Sequence, residues 1–152
     1  MNGASHVIGG VTAAMLLGIH KPLPLAVVVI SALLPDIDRS NSLLGRFIPV
    51  LPGMLEQTPG KRTLTHSLLF GLSLYLLLGI LHPAWQWPFI VGYVSHLVLD
   101  VFVGRITLLW PLPFKIGVPL LGIPPIVVES ASLAAWGAWI VLGGYHHFHF
   151  YF

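Results

Sequence analysis

Apolar residues run along this chain in long blocks, separated by short polar or Pro/Gly-rich segments, which is the pattern of membrane helices rather than of half-buried soluble elements. The first block covers residues 5–19 and breaks at His20-Lys21-Pro22; the second covers 23–34 and stops at Pro35. Both fall short of the ~20 residues that span a bilayer core, which leaves tilt, re-entrance or extension by their flanks. Residues 39–63 collect Pro, Gly and most of the cations and read as a long interfacial loop. A third block, 65–81, with Thr63 or Thr65 as its cap, ends at His82-Pro83, and a fourth runs over 85–103, with Trp85 and Trp87 suited to the membrane interface. After a second Pro/Gly-rich stretch at 105–125, a fifth block, 126–143, precedes a His/aromatic tail that reads as an interfacial anchor or a metal-sensitive patch. No internal repeat and no second domain is visible. The expected fold is all-α: a multi-pass transmembrane bundle of about five apolar helices, the first two short, in one domain over 1–152.

Composition agrees. Of the 152 residues 56% are hydrophobic and 8% charged, and seven Lys/Arg with five Asp/Glu cannot cover the surface of a soluble domain. The mean hydropathy is +0.89. Soluble enzymes, nucleic-acid modules and disordered tails are thereby excluded. There is no cysteine, so disulfides, thiolate metal sites and thiol nucleophiles are excluded too, and any metal must take nitrogen and oxygen ligands. The net charge of +2 rests on too few groups to form a basic surface. With no Lys or Arg before Lys21, the charged start of a secretory signal is missing and the first block reads as a mature helix. Five spans put Lys21 on one side and Arg39, Arg46, Lys61, Arg62, Arg105 and Lys115 on the other. By the positive-inside rule the N-terminus and the long loops face the cytoplasm of a cell (inner) membrane.

Folded up and down, the five spans bring the rare ionisable residues to one end. His6 begins span one, Asp36 and Asp38 end span two, His66 begins span three, His96 and Asp100 end span four, and Glu129 sits near the start of span five. Ionisable residues in membrane helices are costly and point into the protein interior or a wet cavity, so a shared depth argues for a shared site. His96 and Asp100, four apart in SHLVLD, lie on one helix face about 6 Å apart along the axis. In LLPDID, Pro35 biases Leu34 away from helix, and an extended chain beyond it would point Asp36 and Asp38 the same way as a carboxylate pair. Such a pair at a membrane boundary calls for a bound cation.

Each element alone has a plainer reading: a hydrogen-bonded interfacial His, a solvated helix end, a self-neutralising His-Asp pair. Together, three His and three Asp supply ligands for one or two divalent ions, with imidazole favouring Zn²⁺ over Mn²⁺ or Mg²⁺.

With His6, PDID, THS and then GYVSHLVLD followed by LLWPLPF, the chain resembles, over nearly its whole length, the YdjM-type family of bacterial and archaeal membrane-bound metal-dependent hydrolases. The resemblance implies that His6, Asp36, Asp38, His66, His96 and Asp100 take the places of the family's metal ligands. Where the family often carries His-Arg ahead of Thr-His-Ser, this chain reads KRTLTHS, so Arg62 matches and Lys61 departs. The implied reaction is attack by metal-activated water on a phosphoester or acyl bond, with Asp38 before Asp36 as base and Arg62 holding an anionic head group of a lipid or another amphiphilic phosphoester. The competing reading is a metal or proton transporter using the same His/Asp cluster, though the middles of spans one to three offer a relay little beyond Thr12, Ser31 and Ser73. A closed metal site that only ties helices together is a third. No G-x-S-x-G or phosphate-binding Gly loop is present, which disfavours covalent catalysis.

Overall fold

A computed structural model of the chain describes residues 3–39, 41–46, 64–118 and 123–142. Among these residues it is all-helical, with five α-helices and no strand beyond an isolated bridge between Ile106 and Ile116. Helix α1 is Gly3–Leu16 and α2 is Pro22–Leu33, followed by a 3-10 turn at Leu34–Asp38. Helix α3 is Leu68–Leu81; a 3-10 turn at Pro83–Trp85 leads into α4, Gln86–Val103, and α5 is Pro125–Leu142.

The expected helices are present, with ends shifted by local chemistry. Helix α1 stops at Leu16 rather than at residue 19 because Gly18 takes φ +78° and the Ile19 N–H turns back to the Ala14 carbonyl at 2.8 Å, a glycine-dependent helix ending. Pro22 then holds Lys21 extended and opens α2 at the position where a missing N–H costs nothing. The third helix begins later than expected. Its cap is Ser67, whose hydroxyl accepts from the Phe70 N–H, rather than Thr65; Thr63 lies outside the described residues.

Helix α4 is the centre of the bundle, packed on α1, α2 and α3. Its Gly92 lies against the Val28 carbonyl and the Ser31 side chain of α2, where a Cβ would not fit, and Gly10 of α1 closes on Ala32 in the same way. Phe89, Tyr93, Leu97 and Ile106 form one buried apolar cluster, and Ala14, Ile19, Val28 and Val91 another. The distribution of polarity is inverted relative to a soluble fold. Ser5, His6, Ser31, His66, His96 and Asp100 are buried, while Leu16, Ile80, Ile126 and Leu142 are largely exposed, as suits a bundle whose solvent is lipid. Among the described residues, one helical stretch, Pro83–Val103, is by length and composition long and apolar enough to cross a membrane; Gly3–Leu16 and Leu68–Leu81 are apolar but shorter.

Candidate metal centre

Alternating chain direction brings the start of α1, the end of α2, the turn before α3 and the end of α4 to one end of the bundle. His6, Asp36, His66, His96 and Asp100 meet there, all buried. His96 and Asp100 project from one face of α4, as their spacing required, with His96 Nε2 3.6 Å from Asp100 Oδ2. His66 Nε2 lies 3.3 Å from Asp100 Oδ2, 3.4 Å from His96 Nε2 and 3.7 Å from Asp36 Oδ1. On the other side of the carboxylate, His6 Nε2 is 3.4 Å from Asp100 Oδ1, and its ring stacks on that of His96 at 3.7 Å.

The surrounding hydrogen bonds orient these donors. His96 Nδ1 donates to the Ala32 carbonyl at 2.7 Å, which leaves Nε2 as the ring nitrogen that faces the cluster. That ring therefore has one inward donor atom and can serve only one ion, although it belongs to two overlapping groups, His6/Asp36/His96 and His66/His96/Asp100. His66 does not begin a helix as expected. It sits in the turn ahead of α3, its Nδ1 3.3 Å from Thr65 Oγ1. The Tyr93 hydroxyl holds that turn from both sides of His66, lying 2.8 Å from the Thr65 carbonyl and 2.7 Å from the Ser67 carbonyl. Gly71 of α3 leaves the space that the Tyr93 ring occupies. On the opposite side, Ser5 donates to Glu129 Oε1 at 2.8 Å and ties α1 to α5 beside His6.

The expected Asp36/Asp38 pair is not formed. Leu34 keeps right-handed helical angles, φ −61° and ψ −41°, and residues 34–38 wind into a 3-10 turn, because proline is tolerated in the first turn of a helical element. At three residues per turn, positions two apart diverge. Asp36 enters the cluster, whereas Asp38 is half-buried and belongs to neither group of potential ligands. Arg62 and Lys61 lie outside the described residues, as does the His/aromatic tail. Among the described residues, Arg39 brings a cation to the site, with Nη1 3.4 Å from Asp36 Oδ1. Ser67 and Ser95 are engaged elsewhere: Ser67 caps α3 and donates to the Leu64 carbonyl, and Ser95 donates to the Gly92 carbonyl.

The donor set fits a divalent metal. His66 Nε2 and His96 Nε2 lie 3.4 Å apart with Asp100 Oδ2 beside both, and His6 Nδ1 is buried with no hydrogen-bonding partner among the described residues. Bond lengths of about 2.0–2.1 Å to a tetrahedral ion put ligand atoms roughly 3.3–3.4 Å apart. The His66, His96 and Asp100 donors, at 3.3, 3.4 and 3.6 Å from one another, approach that spacing without rearrangement.

An apolar helical bundle with a buried His/Asp centre able to hold a metal ion defines the class of protein. The chain belongs to the YdjM inner membrane protein family, whose profile matches residues 1–151. It is 35% identical over 127 residues, 79% of each chain, to the Bacillus subtilis (strain 168) protein named "Uncharacterized protein YvsG". It is also 31% identical over 101 residues, 61% of this chain, to the inner membrane protein YdjM of Escherichia coli (strain K12). The same holds for YdjM of Shigella flexneri, and the matched part is 52% of the length of each of these two relatives. No solved structure matches the chain.

Proposed function

We propose that the protein is a multi-pass membrane hydrolase that depends on a divalent metal, zinc before manganese or magnesium, and acts on a phosphoester or acyl bond of a lipid-like substrate at the cytoplasmic face. The observation that carries this reading is the convergence of five buried His/Asp side chains from four segments at one end of an apolar bundle. His66, His96 and Asp100 hold the ion, with Asp36 and His6 completing the surroundings. A divalent ion so held supplies Lewis acidity, which makes water a nucleophile near neutral pH and polarises the bond under attack. Asp36, which both touches the cluster and lines a polar cavity, is the better candidate of the two carboxylates to accept the proton of the attacking water.

Membrane embedding is supported by the exposed apolar residues of α3, α4 and α5, and cytoplasmic placement by the Lys/Arg asymmetry. At 1.5 Å per residue, α1 and α3 are each about 21 Å long against a core of about 30 Å, so a cluster just below the head groups is compatible with their length. An apolar groove of about 530 Å³ runs between α1 and α4, past Gly9, Ser95 and Leu99 next to the cluster, toward Leu16 and Trp87. Trp87 to Leu99 is about 18 Å of helix, comparable with one leaflet of that core, so the groove suits an acyl chain.

The test is a screen of phospholipid, lysolipid and soluble phosphoester hydrolysis by the purified protein, before and after chelation. The Asp36→Asn variant should lose about a hundredfold or more in rate, the usual contribution of a general base. Metal or proton flux in sealed vesicles, dependent on the same residues and without any hydrolytic product, would replace this reading with transport.

A further inference from the structure

Beside the cluster, toward the polar end of the bundle, a second cavity of about 220 Å³ is lined by Gly3, Asp36, Arg39, Asn41, Ser42 and Arg46, among others. It is smaller than the roughly 300–1,000 Å³ that whole ligands occupy, and so has room for a head group rather than a whole lipid. Its chemistry is cationic and hydrogen-bonding where the groove between α1 and α4 is apolar.

The turn that brings the two arginines together is specifically built. The Ser42 N–H bonds to the Arg39 carbonyl at 2.9 Å, the Gly45 N–H to Ser42 Oγ at 2.8 Å, and the Arg46 N–H to the Ser42 carbonyl at 3.3 Å. Residue 45 must be glycine for this closure, because its Cα lies against the Arg39 carbonyl where a Cβ would collide. The chain is thereby folded back until Arg46 lines the same cavity as Arg39. Arg39 touches Asp36 through one long contact of 3.4 Å and is 43% exposed. Among the described residues, most of its five N–H donors are therefore open to another partner.

We propose that this cavity is an anion subsite, in which Arg39 and Arg46 grip the phosphate monoester of the substrate next to the His/Asp cluster. This deepens the hydrolase reading and rests on it for the word substrate. Guanidinium groups pair with phosphate in planar, two-pronged fashion. With a divalent ion in the cluster, the two arginines and the ion together outweigh Asp36 and Asp100, so the cavity favours a dianion over a neutral or zwitterionic head group. Asp36 is shared by cavity and cluster, which places the gripped phosphate beside the group that takes the proton.

The experiment uses the full chain, loaded with zinc, in neutral detergent, and titrates it with inorganic phosphate by ³¹P NMR. Arg39→Gln and Arg46→Gln should each weaken phosphate binding about tenfold or more at unchanged metal content, and Arg→Lys at either position should recover only part of it. A second arm compares nanodiscs of phosphatidylcholine with and without phosphatidate. Competition of phosphatidate with inorganic phosphate, abolished in the double Gln variant, assigns the subsite to a lipid head group, and competition by soluble phosphomonoesters alone assigns it to a soluble ligand. Metal content reports the fold, and where a Gln variant loses it the Lys variants decide. Wild-type phosphate affinity in the metal-replete double variant would overturn the proposal, as would absence of millimolar phosphate binding by the wild type. Arginine-dependent phosphate binding without any hydrolysis would keep the subsite and remove the reaction. Hydrolysis whose KM is indifferent to both arginines would keep the reaction and remove the subsite.

Discussion

Tyr93→Phe isolates the link between helix packing and the centre. The substitution leaves the ring on Gly71 and stacked near Phe89 at 5.7 Å, and deletes only the hydroxyl that holds the Thr65 and Ser67 carbonyls. Two buried carbonyls share one proton, so the loss is of one strong hydrogen bond and the partial solvation of a second acceptor. In a soluble core such a loss costs about 1–3 kcal/mol. In a bilayer, interhelical hydrogen bonds average only about 0.6 kcal/mol, with a maximum near 1.7. The turn around His66 is buried within protein, so the upper part of the membrane range applies, about 1–1.7 kcal/mol. Part of that reaches the metal, because the same turn aims His66 Nε2 at Asp100 and His96. At 1.4 kcal/mol per factor of ten, zinc affinity should fall roughly three- to tenfold, near the lower end for the loss of an outer support. Competition with a chromophoric chelator measures the affinity, and thermal unfolding in the same detergent measures stability. A Tyr93→Phe protein with the wild-type zinc Kd and the wild-type Tm would refute the role given to the hydroxyl.

Three further outcomes are expected. His96→Ala or Asp100→Ala should lower metal affinity by tenfold or more, read by the same competition; unchanged affinity in both would make the pair a neutralised helix contact. Because the chain has no cysteine, single probes placed at Ser42 and at Ala84 should react with an impermeant thiol reagent from opposite faces of the membrane, and labelling from the same face would contradict an odd number of crossings between them. Gly92→Val should cost more than the usual 1–3 kcal/mol of overpacking, since the added atoms meet the Val28 backbone of α2, and unfolding at the wild-type temperature would show that the α2/α4 crossing is looser than described.

The convergence of His6, Asp36, His66, His96 and Asp100 was legible in the sequence for a physical reason: apolar helices leave few places for ionisable groups, and up-and-down folding fixes which ends meet. His96 and Asp100 needed only the helical period. The path of LPDID was not legible, because Pro35 is compatible both with an extended chain and with the first turn of a 3-10 helix, and packing against α4 decides between them. Tyr93 left a weaker signal. It lies three and seven residues before His96 and Asp100 on the same helical face, but nothing local to it names the Thr65 and Ser67 carbonyls as its partners. Arg39 read as a topology signal because its i, i+3 contact with Asp36 depends on the 3-10 turn that the sequence did not reveal.

The central claim is that the buried cluster is a metal centre, and elemental analysis of the purified full chain tests it most directly. The protein purified without chelator, or incubated with zinc and desalted, should retain about one equivalent of metal per chain, and the His66→Ala/His96→Ala double variant should retain none while remaining helical. A folded wild-type protein that stays metal-free after exposure to zinc, manganese and magnesium, or a double variant that keeps the wild-type equivalent, would contradict the account.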